Sequence, residues 1–176
     1  MKRFSAILLA GVATLSIGCG TTSPTASTIT TLPTSFTFTS SLLPSNEVPA
    51  VTNAEASGSG TVTITMTVTR DSAGSITAAT VNFSASLSGF PAGTTLTGAH
   101  IHQAGPGVTA GVVVNTGLTS GEVVLTNGSG SFTKSNINVA VDVANNLVVG
   151  ATGFYFNVHS TTNAGGMARG QLAKQL

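Results

Sequence analysis

Apolar and polar residues alternate with period two through most of this chain, the spacing of half-buried β-strands. The clearest run is Thr61-Val62-Thr63-Ile64-Thr65-Met66-Thr67-Val68-Thr69, with Val62, Ile64, Met66 and Val68 on one face and threonines on the other. Its β-branched side chains strengthen the strand assignment. Arg70 to Gly74 supply a polar turn, and Ile76 to Leu87 return as a second strand, which predicts a hairpin. Phe36-Thr37-Phe38 opens an earlier strand that ends at Pro44. Further strands are expected at 95–103, 112–115, 121–125, 130–133, 153–160 and 168–173, punctuated by Gly89 to Gly93, Gly105 to Gly107 and Asn127-Gly128. The segment from Asn136 to Val149 fits two patterns. Val139, Val143 and Leu147 recur every four residues, as on a helix face, whereas valine favours strands. We read a short helix near 137–148, opened by Ser135 or Asn136. The pattern as a whole predicts an all-β fold, an antiparallel Greek-key β-sandwich.

The same alternation gathers the chain's chemistry. Its three histidines lie in two strand segments. In Gly98-Ala99-His100-Ile101-His102, the histidines share one face while Ala99 and Ile101 share the other. In Phe154-Tyr155-Phe156-Asn157-Val158-His159, Tyr155, Asn157 and His159 oppose the apolar residues. Three imidazoles from two strands are therefore expected to meet on one outward patch.

Composition narrows the setting. Lys2 and Arg3 precede an uncharged, mostly apolar run from Phe4 to Ile17, too short to span a bilayer comfortably. Residues 1–18 accordingly read as a signal peptide. The run ends at Cys19, the single cysteine, in a context that resembles a bacterial lipobox. Leu15 stands one place early and Ser16 occupies the usual aliphatic position. Lipidation at Cys19 would anchor an exported protein to the membrane; the alternative is ordinary cleavage and secretion. Residues 19–35, rich in Thr, Ser and Pro, read as a tether, and 36–176 as one domain. Without Lys2 and Arg3, four basic and five acidic residues remain, a formal charge of −1. With no basic patch and no tryptophan, nucleic acid is a poor partner. A surface of Thr, Ser, Asn and Gly suits the cell envelope or the exterior.

Three motifs carry a resemblance. Ser45-Asn46-Glu47-Val48-Pro49-Ala50-Val51, Gly98 to His102, and Tyr155 to His159 with Asn163-Ala164-Gly165-Gly166 and Arg169-Gly170-Gln171-Leu172 fall in order and at matching spacing. Together they resemble the "NEVPPV", "AHIHGPA" and "YVNVHT..NPGGEIRGQL" segments of CHRD domains, named after chordin and widespread in exported bacterial proteins. Gln103-Ala104 replaces Gly-Pro, Ala164 replaces a proline, and Met167-Ala168 replaces Glu-Ile, which removes an acidic side chain beside the histidines. The resemblance implies an exported β-domain acting as a binding or structural module on a protein or envelope ligand. A weaker similarity, the His-x-His strand with a later Val-His and an arginine, is to copper/zinc superoxide dismutase, another sandwich of the kind seen in immunoglobulins. That enzyme's two-metal site needs more histidines and an aspartate. Here Asp71 and Asp142 lie far from the motifs, so no enzyme is expected.

Two readings of the histidines follow. Imidazoles at i and i+2 with a third from a neighbouring strand can chelate one copper or zinc ion, making His100, His102 and His159 a mononuclear metal site. Alternatively, they form a polar cluster with Tyr155, Asn157 and Arg169 that fixes strand register. Glu47 and Arg169, one near each end of the domain, are expected to close it as an ion pair. Gly98, Gly165, Gly166 and Gly170 are expected to serve turns and close strand approach.

Overall fold

The computed structural model describes residues 31–176. The signal peptide, Cys19 and most of the tether lie outside the described residues. Residues 31–34 have no regular structure, but they already dock on the domain: Arg70 Nε donates to the Pro33 carbonyl at 3.1 Å, and the Val68 amide donates to the Thr34 carbonyl at 2.8 Å.

The strands are β1 (Ser35–Leu42), β2 (Ser59–Arg70), β3 (Ile76–Ser88), β4 (Thr94–His102), β5 (Val112–Asn115), β6 (Val124–Leu125), β7 (Gly130–Val139), β8 (Tyr155–Ser160), β9 (Ala168–Gln171) and β10 (Ala173–Lys174), with one helix, α1 (Val141–Gly150). They form two antiparallel sheets. The first has the order β10-β1-β2-β3-β7, and the second has β5-β4-β8-β9 with β6 also paired to β4. The β2–β3 hairpin turns where expected. Asp71 Oδ1 accepts from the amides of Ala73 and Ser75 at 2.9 Å each, and Gly74 takes φ +86°.

Alternation puts one face of each sheet in a common core. Val62, Ile64, Met66 and Val68 are buried, as are Ala99, Ile101, Phe156 and Val158 from the second sheet. Phe83 and Phe156 meet across the layers with ring centroids 5.8 Å apart. Burying such side chains contributes about 1.5–3 kcal/mol each. The layers are also stitched by backbone: Leu43 and Arg169 exchange amide–carbonyl bonds at 3.0 and 3.2 Å. Gly170 is required beside that stitch, because a Cβ there would collide with the Ser41 carbonyl and Ser40 Oγ.

The segment read as a helix divides. Residues up to Val139 belong to β7, and α1 begins only at Val141, with Val143, Ala144 and Leu147 buried. Asn136 does not open the helix. It sits at φ +57°, facing a register shift between Val81 and Phe83, and its amide donates to Asn82 Oδ1 at 2.8 Å. Asparagine tolerates that left-handed conformation, so the cap-like residue marks a β-irregularity instead. Ala140 precedes the helix without a side-chain cap, and Asp142 in the first turn complements the positive end of the helix dipole.

Candidate metal centre

Strand register builds the site. On β4 and β8, Gly98 opposes His159, His100 opposes Asn157, and His102 opposes Tyr155. On β8 and β9, Asn157 opposes Arg169 and Tyr155 opposes Gln171. Directly opposed residues point to the same side of a sheet. One side of the second sheet is thus a continuous polar wall, and the other is core.

The three imidazoles do converge. Their potential ligand nitrogens all lie within 4.8 Å of one another, and His100 Nδ1 is 3.1 Å from His159 Nε2. Gly98 leaves room for this, since a Cβ there would stand 3.2 Å from His100 Cε1. His102 Nδ1–H donates to the Ala110 carbonyl at 2.8 Å, and His159 Nδ1–H donates to the Ala164 carbonyl at 2.9 Å. A carbonyl can only accept, so Nδ1 carries the proton in both rings, and each Nε2 of a neutral ring is a bare lone pair. Both Nε2 atoms lie 3.1 Å from Asn157 Oδ1. Burial, together with the neighbouring His159 and His102, pushes the His100 pKa down to about 4. Burial lowers His159 as well, partly opposed by its bond to Ala164. At neutral pH these two rings are uncharged, the form that binds metals.

The wall is not the outward, solvent-facing patch that alternation predicts. Arg169 is 2% exposed, Tyr155 and Asn157 3%, and His102 6%. Loop 103–111 covers His102, Tyr155 and Arg169 with its backbone, and Asn157 is enclosed between the His102 and His159 rings. Arg169 Nη2 donates to Gly105 at 3.1 Å and to Val108 at 2.8 Å, and Gln171 Nε2 donates to Ala104 at 3.0 Å. His100 and His159 remain half-buried and form the accessible edge. Tyr155 lies between two partners, because β4 and β9 are the neighbours of β8. The His102 ring stacks on it at 4.6 Å, and the Arg169 guanidinium sits 3.4 Å from its centroid.

Glu47 and Arg169 do not form the expected contact ion pair. Among the described residues the salt bridge is Lys134–Glu122, at 2.7 Å. The Arg169 guanidinium is committed to the loop carbonyls and to Tyr155. Glu47 is nevertheless drawn into the same neighbourhood: both residues line a cavity of about 400 Å³ with Asn46, Pro106 and Gln171. Its carboxylate fills the place where a Cβ on Gly166 would stand, at φ +148°, and its Oε1 is buried without a hydrogen-bond partner. Burial pushes its pKa up to about 7, against the opposing pull of Arg169 and Asn157.

One buried acid escaped the sequence reading. Glu55 is 2% exposed and accepts from Ser160 Oγ at 2.8 Å and from Asn163 Nδ2. It ties the segment before β2 to the β8–β9 connection, next to His159. An isolated acid among small residues in a charge-poor chain was the available signal.

The family model of the CHRD domain matches residues 38–172, spanning β1 to β9 and every residue of the site. No curated protein matches the chain.

Proposed function

This chain belongs to the CHRD domain family, and from that premise we propose that it is a metal-binding module of the cell envelope, taking copper or zinc on His100, His102 and His159. One observation carries the reading. The Nδ1–H bonds to Ala110 and Ala164 leave two Nε2 lone pairs aimed, with His100 Nδ1, into a common volume. Metal-bound histidines are oriented by such a second hydrogen bond, and imidazole suits copper and zinc. A hydrogen on His100 Nδ1 satisfies His159 alone, leaving His102 Nε2 and Asn157 Oδ1 as acceptor against acceptor. A cation resolves that conflict.

Calorimetric titration of the purified domain with Cu(II) and Zn(II) is expected to show one ion per chain with micromolar or tighter affinity. His102→Ala should abolish binding while circular dichroism shows the fold retained. No binding at neutral pH would leave the other reading, a hydrogen-bonded cluster that fixes strand register, favoured by the contacts of Asn157 to both rings.

The envelope setting is supported by Lys2, Arg3, the apolar run to Ile17 and the single Cys19. In this reading the protein is exported, lipidated at Cys19 and held at the membrane by a Thr/Ser-rich tether, acting as a binding module and not as an enzyme. Growth with a labelled fatty-acid analogue should mark the mature protein, and the label should vanish in Cys19→Ala. An unlabelled wild type would overturn the anchor and leave secretion.

A further inference from the structure

The donor set does not end with the histidines. We infer that the ion has four protein ligands, that the fourth is Oδ1 of Asn157, and that Glu47 is the positioning residue that aims it. This rests on the metal reading above and makes the site a closed one. A four-ligand zinc-type centre holds its metal, whereas three ligands leave a position for water or substrate.

Four observations point there. Asn157 is 3% exposed, so bulk water does not compete for its oxygen. That oxygen is 3.1 Å from His102 Nε2 and 3.1 Å from His159 Nε2. Donor atoms bound at ~2.0–2.2 Å to one ion lie roughly 3–3.5 Å apart, so this spacing needs only small movements. In the neutral rings neither Nε2 carries a proton, because each has spent its one hydrogen on a backbone carbonyl.

The orientation of the amide decides the matter, and its surroundings fix it. Reversed, Asn157 would donate from Nδ2 to both rings and satisfy them without metal. Oδ1 would then turn away from the rings toward Glu47, whose carboxylate lies by Gly166 and lines a cavity with Arg169, the residue opposite Asn157 on β9. Glu47 is itself 8% exposed and already has one oxygen without a partner. A second acceptor turned toward the ionised carboxylate is the worse arrangement. The ionised Glu47 therefore favours Nδ2 on its own side and leaves Oδ1 among the imidazoles, and a cation bound there favours that ionised form in turn. Gly166 makes this possible, since any larger residue would displace the carboxylate.

The test uses the full folded chain with Zn(II) for affinity and Co(II) as the optical probe. Wild type should give the intense visible bands of four-coordinate Co(II), unmoved by azide. Asn157→Leu should weaken Zn(II) binding about tenfold or more and make the Co(II) spectrum respond to azide. Asn157→Asp keeps an oxygen in place, and should hold affinity within a few-fold and remain azide-insensitive. Glu47→Gln offers a donor to Oδ1, turns the amide, and should confer azide sensitivity, whereas Glu47→Asp should not. Zn(II) binding by Asn157→Leu as tight as wild type, with an unaltered Co(II) spectrum, would overturn the fourth ligand while leaving the three-histidine site standing. Should that variant fail to fold, azide binding to wild-type Co(II) protein overturns it equally. A wild type that binds no metal is a different failure, that of the parent reading.

Discussion

The outer faces of the two sheets make an instructive pair. Both are polar by alternation, and both oppose a buried apolar face. On the first sheet, Thr61, Thr63, Thr67 and Thr69 stand in water, where each hydroxyl is solvated and little depends on its neighbours. On the second, His102, Tyr155 and Arg169 stand under loop 103–111 with Asn157 buried beside them, and all four lose their water. A polar side chain deprived of water must find a partner or cost stability. Every hydrogen bond on that wall is consequently specific, and the lone pairs left over define what the site can bind. Period two identifies the side of a strand that is not core; it does not say whether that side is wet.

Truncation should expose the contrast most strongly at Arg169. Arg169→Ala leaves the Gly105 and Val108 carbonyls without donors and removes the cation from Tyr155. Urea denaturation should show a loss of about 3 kcal/mol or more, and a loss under about 1 kcal/mol would mean that water enters beneath the loop.

Acidity divides the wall next, in metal-free protein. Glu47 binds its proton more tightly when folded, at about 7 against an ordinary 4.5. Its contribution to stability is full below 4.5 and is lost as pH rises through 7. His100 binds its proton less tightly when folded, at about 4 against 6.5. Its contribution is full above 6.5 and is lost as pH falls toward 4. His159, also lowered by burial, adds to the His100 slope, and Glu47 opposes both between about 4.5 and 6.5, so the rise of Tm with pH should be blunted there. Glu47→Gln should steepen the rise of Tm with pH across that window, and His100→Gln should make it shallower. Identical profiles for wild type and Glu47→Gln would show that Glu47 titrates normally.

The smallest effect belongs to the solvated face. Thr63→Ala should change stability by no more than about 0.5 kcal/mol. A larger loss in denaturation would make that face something other than a wet surface.

Much of this architecture is legible in the residues themselves. The Thr61–Thr69 run gives β2 with its inward set, and the His-x-His and Tyr-x-Asn-x-His spacings place five site residues on one side of one sheet. The cover was not legible, for a physical reason. Ala104, Gly105, Val108 and Ala110 act through their carbonyls, which every residue possesses, so their side chains carry no trace of the role. The Glu47–Arg169 expectation failed on the same ground: opposite charge suggested a pair, but loop backbone had claimed the guanidinium. Asn136 misled because one side chain suits both a helix cap and a left-handed strand irregularity, and only the partner strand distinguishes them.

The backbone stitch between Leu43 and Arg169 has a consequence for how the chain acquires its shape. Asn46 also reaches the Arg169 carbonyl, across 123 positions. At ribosomal speeds of about 5–20 residues per second, the two partners emerge roughly 6–25 seconds apart. Until the later one is synthesised, residues 43–46 lack their partner on the second sheet, so this link between the layers closes only when nearly the whole chain has been produced.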